Sequence, residues 1–245
     1  MFKRDLIFSQ PLLNAAGALG FYPDSRLPLN WREFGAFITN PLSLRPRKPA
    51  AEPALVHTPA GFLLHTGLPN PGLDSALKHY AAKWARAALP IIPHLMADRP
   101  EETARMVRRL ESLENILAVE LGFAPQLADD IILLTIGMCA GEIPLIVQLP
   151  FEQVLRIGPR AIDAGAVAIS LAAPRGLLGS VTGRMYGPAL LPQSMLVVRD
   201  AARAGIPIIG GAGVFSKENA SAMLKAGALA VQLDTVLWRG DFNQS

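Results

Sequence analysis

Two histidines and a carboxylate stand where a proton could be moved. His94 closes the apolar run Ile91-Ile92-Pro93-His94-Leu95-Met96, and Glu120 lies at the end of another, Ile116 to Leu121. Histidine is the side chain most easily poised near neutral pH, so His94 at the end of a buried strand is a candidate acid–base group. The competing reading is an imidazole hydrogen-bonded inside the core. His65 sits on a long connection that can reach over the same end. Arg175, Arg184 and Tyr186 fall in a segment with Gly176, Gly179 and Gly183, the make-up of a mobile lid whose guanidiniums suit an anion. Gly210-Gly211-Ala212-Gly213 follows the apolar run Ile206 to Ile209, and bare backbone N–H groups of such a turn can point at a phosphate. Asp234 ends the next apolar run and would repel that same anion.

These residues need a frame. Eight apolar runs of strand length recur: residues 11–16, 34–40, 90–96, 116–121, 144–149, 166–172, 206–210 and 228–233. Each is a continuous run rather than an alternating one, as strands buried on both faces require. Helical patterns lie at residues 73–89, 100–113, 126–138, 151–164, 190–204 and 217–226, with Pro100 at a first turn and Ser216 as an N-cap. Pro159 predicts a kink or two short pieces in the fourth of these. Alternating strand and helix predicts one (β/α)8 barrel over residues 1–245. From Pro41 to Gly72 there are seven prolines and no helical period, which predicts a long loop over one mouth. From Val236 to Ser245 only ten residues remain, too few for a full eighth helix.

Composition narrows the classes. Half of the 245 residues are hydrophobic, mean hydropathy is +0.30, and net charge is +3 from 23 basic and 20 acidic residues. The excess apolarity beyond double-sided strands suggests a homo-oligomer interface. The one basic cluster, Arg45-Pro46-Arg47-Lys48, is short and lacks interleaved aromatics, so nucleic acid is not an expected partner. The single Cys139 excludes an internal disulfide and a multi-cysteine zinc site. His65, His94 and Glu120 could be assembled into a zinc trio, but their spacing requires none, and no metal is predicted. No leading apolar segment or membrane-length run is present, so a cytoplasmic protein with a small-molecule ligand and no membrane is the expectation. His57 and His79 read as surface residues.

The ordered motifs resemble the dihydroorotate dehydrogenase family over nearly the whole chain. Asn14-Ala15-Ala16-Gly17, Ile38-Thr39-Asn40-Pro41-Leu42-Ser43-Leu44-Arg45-Pro46-Arg47, Thr58-Pro59-Ala60-Gly61-Phe62 and Gly67-Leu68-Pro69-Asn70-Pro71-Gly72 match its opening. Gly187-Pro188-Ala189, Ile208 to Val214 and Ala230 to Thr235 occupy the matching later places. The resemblance implies an FMN-binding barrel that oxidises dihydroorotate to orotate. It also implies a Cys or Ser base after the fourth strand, in a pattern of Glu-Leu-Asn, an apolar residue, then Ser-Cys-Pro-Asn. This chain has Glu120-Leu121-Gly122-Phe123-Ala124-Pro125-Gln126 there. Asn40 and Gln148 stand in the places of two lysines, Leu64 and Ala173 in those of two asparagines, and Asp234 in that of the glycine of a Gly-Thr phosphate pair.

By that resemblance FMN would be held through Ala16, Gly17, Asn40, Gln148, Gly211, Ala212, Gly213 and Thr235, and substrate through Asn70, Arg175 and Arg184. His65 or His94 would supply proton transfer. The leading expectation is an FMN- or phosphate-ligand-binding oxidoreductase of unknown substrate. A catalytically silent barrel with a binding or assembly role, and a flavin-free phosphate-binding isomerase or lyase, are the alternatives.

Overall fold

In the computed structural model, residues 5–238 and Phe242 are described. In chain order the strands are β1 (Leu12–Asn14), β2 (Phe34–Ile38), β3 (Ala54–Thr58), β4 (Gly61–His65), β5 (Ile91–Ile92), β6 (His94–Met96) and β7 (Val119–Gly122). They continue with β8 (Leu145–Leu149), β9 (Ala168–Leu171), β10 (Arg175–Leu178), β11 (Val181–Tyr186), β12 (Ile208–Gly210) and β13 (Ala230–Leu233). The helices are α1 (Leu73–Ala85), α2 (Pro100–Glu111), α3 (Asp129–Cys139), α4 (Val154–Asp163), α5 (Leu191–Arg203) and α6 (Lys217–Lys225). None of them is long and apolar enough to cross a membrane.

Nine strands form one parallel sheet in the order β5-β2-β1-β13-β12-β9-β8-β7-β6. Its two ends are halves of one strand split at Pro93, which has no N–H to give to a ladder. On one side Phe37 and Thr39 donate to the carbonyls of Pro90 and Ile92; on the other Leu117 and Glu120 donate to those of Ile91 and Pro93. The eight expected strands therefore close into a (β/α)8 barrel. Asn14 repairs a register break between β1 and β2: its side chain accepts from the Ile38 N–H at 2.9 Å and donates to the Ile38 carbonyl at 2.6 Å.

The barrel interior is built in layers. Leu13, Ala36, Ile38, Ile92, Ala118, Ile146, Ala168, Ile209 and Ala230 form an apolar cluster separate from the helix-facing core, and all are fully buried. A strand repeats its facing every two residues. Two positions beyond Ile92, Ala118, Ile146, Ala168 and Ala230 come His94, Glu120, Gln148, Ser170 and Gln232, so a polar layer lies above the apolar one, toward the C-terminal mouth.

Three expectations are corrected. The Pro41–Gly72 segment is not an irregular loop: it holds the hairpin β3–β4, with Pro53 and Pro59 just outside the ends of β3. The Ala173–Tyr186 segment is a second hairpin, β10–β11, and not a free lid. The two hairpins join through β11 and β4 into a four-stranded antiparallel sheet, β10-β11-β4-β3. At its corner a Cβ on Gly61 would strike the Tyr186 carbonyl, so only glycine permits that approach. Pro159 does not split its helix either. α4 runs through it after a short 3-10 turn at Phe151–Gln153. After β13 the chain makes a 3-10 turn, Thr235–Trp238; the expected absence of an eighth helix concerns residues that, Phe242 aside, lie outside those described.

Asn14→Ala leaves the Ile38 N–H and carbonyl unpaired in a buried place. It is expected to cost roughly 1–3 kcal/mol, read from the midpoint of urea unfolding.

Candidate active site

Glu120 is the centre of the polar layer. It is fully buried, and three other strands bring donors to it. His94 Nδ1 on β6 lies 2.6 Å from Oε2, while Ser170 Oγ on β9 and Gln232 Nε2 on β13 donate to Oε1 at 2.7 and 2.6 Å. Burial alone would raise the Glu120 pKa; the hydrogen bond and charge of His94, with the bonds from Ser170 and Gln232, hold it below the usual carboxylate value. The carboxylate takes the Nδ1–H of His94, which fixes the tautomer and leaves Nε2 as the free nitrogen. That nitrogen faces Gly122. A Cβ at Gly122 would collide with Nε2 and Cε1, so the ring sits where only a glycine leaves room.

His94 lies between two cavities at the mouth. The first, a slot of about 230 Å³, is lined by Ala16, Gly17, Asn40, Tyr186, Asp234, Thr235 and Trp238, among others. The second, of about 330 Å³, is lined by His65, Met96, Gly122, Phe123, Gln148 and the turn from Ala172 to Pro174, among others. Arg175 and Arg184 border both. They face each other across the β10–β11 hairpin, and neither has an acidic partner among the described residues. Arg184 donates to Gln148 Oε1 at 3.3 and 3.4 Å, which draws its guanidinium toward the second cavity. Burial, then the charge of Arg184, lowers the Arg175 pKa.

The expected site residues are thus divided. Ala16, Gly17, Asn40 and Thr235 line the slot, Gln148 and His65 line the second cavity, and His94, Arg175 and Arg184 touch both. Asn40 is tied to Gly20, whose N–H it accepts at 3.0 Å. Gly211, Ala212 and Gly213 lie outside the walls of both cavities, and a Cβ on Gly213 would strike the Leu191 backbone. Asn70 is also outside them; its Oδ1 accepts from the Ser43 N–H and hydroxyl and from the Gly72 N–H. Ser170, Gln232 and Gly122 carried no signal as site residues in the sequence. The polar residue two places after an interior apolar one was the available clue.

A phosphate beside Asp234 and Thr235 would meet a carboxylate where the family resemblance has a glycine. Asp234 is buried, and its Oδ1 takes both the N–H and the hydroxyl of Thr235. Trp238 Nε1 donates to the Ala18 carbonyl at 2.8 Å. The Thr235 and Trp238 donors are therefore already engaged. Asp234 Oδ2 is buried with no partner, and burial pushes the Asp234 pKa up to about 6. At Gly17 only Pro41 Cδ comes within 4 Å of a Cβ position.

A parallel (β/α)8 barrel with a carboxylate–imidazole pair and a two-chambered pocket at its C-terminal mouth has the layout of a barrel enzyme. The dihydroorotate dehydrogenase family model matches residues 4–126. The catalytic subunit of dihydroorotate dehydrogenase B (NAD(+)) from Pelobacter propionicus is 30% identical over 251 residues, covering 92% of this chain and 83% of that protein. Its counterpart from Geotalea daltonii is 30% identical, covering 92% and 82%. The ligand-free DHODH of Eimeria tenella superposes with a TM-score of 0.75 at 18% identity, over 96% of this chain and 81% of that one. The chain belongs to the dihydroorotate dehydrogenase family.

Two outcomes check the site's electrostatics. Glu120→Ala leaves three buried donors facing a void and is expected to cost about 3–5 kcal/mol in urea unfolding. For Asp234, a raised folded pKa means that the folded state binds the extra proton. Its contribution to stability is then greatest below 3.8 and is lost as pH rises toward and past about 6, roughly 3 kcal/mol in all. Asp234→Asn keeps the Oδ1 acceptor and removes the charge, so it is expected to gain on the wild type by that order between pH 4 and pH 7.

Proposed function

We propose that this chain is a flavin-class oxidoreductase of the dihydroorotate dehydrogenase type that acts on a small anionic carbon acid, with His94 as its proton-transfer group. The observation that carries the reading is the hydrogen-bonded His94–Glu120 pair at the junction of the two cavities, the only histidine–carboxylate pair among the described residues with both partners buried. A flavin ring in the slot, when bound, supplies the hydride acceptor. The chain's own residues do the rest. Substrate in the second cavity presents a C–H to Nε2 of a neutral His94. The proton moves to Nε2, and the Glu120 carboxylate stabilises the imidazolium through Nδ1–H, as the acid of a catalytic triad does for its histidine. Arg175 and Arg184, unpaired with acids, hold the anionic group of the substrate. Phe123, Ala124 and Pro125, in place of the family's base segment, contribute an apolar wall that keeps water from Nε2.

His65 lines the second cavity without any such pairing, so His94 is the assigned base. The test is anaerobic mixing of flavin-loaded protein with a panel of small dihydro-carboxylates, dihydroorotate included, followed by bleaching of the long-wavelength flavin band. His94→Ala is expected to slow bleaching by roughly 10²–10⁴-fold, with His65→Ala changing it little. A His94→Ala variant as fast as the wild type would remove histidine from the proton step.

A further inference from the structure

Resting on the reading of Arg175 and Arg184 as the anion-holding pair, we infer that the anion they hold is doubly charged and bridged between both guanidiniums. This chain then selects a dianion over a monoanion of the same shape.

Arg175 and Arg184 stand directly opposite each other on one rung of the antiparallel sheet, and the rung continues through Leu64 and Leu55. Opposed residues of an antiparallel pair share a face, with Cβ atoms about 4.5–5.5 Å apart. That face is the mouth of the barrel. Arg175, Arg184 and Leu64 all line the slot, whereas Leu63 and Met185, one position along each strand, line a separate cavity. Like charges in direct opposition destabilise a sheet unless a counter-charge meets them. No acid among the described residues does so. Beyond Arg184 the rung offers only leucines. Asp234 lines the slot, Asp98 and Glu152 line the second cavity, and none of the three makes an ion pair with either arginine. Arg184 donates instead to the neutral Gln148 Oε1. Burial and then the charge of Arg184 lower the Arg175 pKa, so the two guanidiniums sense each other. A single carboxylate between them cancels one charge and leaves the other. A dianion cancels both, and guanidiniums meet oxyanions through paired N–H bonds. Because both arginines border both cavities, the two charges can come from either side: two carboxylates of one substrate, or the phosphate of a slot ligand.

Two matched pairs of probes read the charge and its source. The full chain is titrated by calorimetry at pH 8 and low ionic strength with succinate against butyrate, and with FMN against riboflavin 5′-sulfate. Within each pair one negative charge is removed at nearly constant shape. In at least one pair the dianion is expected to bind at least about tenfold tighter, one decade of Kd. A preference for succinate places the dianion in the substrate, and a preference for FMN places it in the slot ligand. Arg175→Gln and Arg184→Gln are each expected to close the gap. Without ligand, both variants are expected to unfold in urea no earlier than the wild type, because the repulsion is gone. Equal affinities within both pairs overturn the inference and leave a monoanion site, so the flavin reading stands. A gap that persists in either variant overturns it too. A variant that is less stable than the wild type, or does not fold, assigns the pair a structural role and has the same consequence. Binding of none of the four probes removes the anion site and the proposed function with it.

Discussion

A carboxylate at the centre of a barrel is a constraint on everything around it. Removing an ionised group from water costs several kcal/mol unless its oxygens are matched by donors. Glu120 has both oxygens matched, by His94, Ser170 and Gln232 from three different strands. Each of those donors sits on the inward face because it follows an interior apolar residue by two positions. The polar layer therefore depends on the register of β6, β7, β9 and β13 together, and a slip in any one would leave a buried charge without its donor. The same network fixes the imidazole of His94 between the two chambers of the mouth.

At the mouth, Asp234 has taken the donors of Thr235. Both chambers are bordered by two guanidiniums without acidic partners, carried on a hairpin that crosses over from the loop after β9. A ligand or ligand pair spanning both chambers meets the imidazole between them and the two guanidiniums that border both. Gly122 is what lets the middle work, because any side chain there would occupy the space of the ring.

The eight barrel strands and the six helices were legible because each barrel strand is an apolar run and each helix has its own period, and both signals are local. His94 and Glu120 were visible as polar residues ending apolar runs. The antiparallel sheet was not. β4 and β11 pair Leu64 with Arg184, and nothing in the proline-rich stretch or the glycine-bearing stretch announces the other. Each reads alone as loop, and each becomes strand only when the other completes its ladder.

Composition and local pattern thus determined the barrel, the positions of its strands and the residue types available at the mouth, because burial on both faces dictates which residues a strand can contain. Tertiary structure decided which of them meet. The bond between Glu120 and Gln232 joins residues 112 positions apart, and the exclusion of Gly211–Gly213 from the slot follows from how α5 packs under that turn. Such contacts arise only from barrel closure, which sets distances that no local sequence pattern encodes.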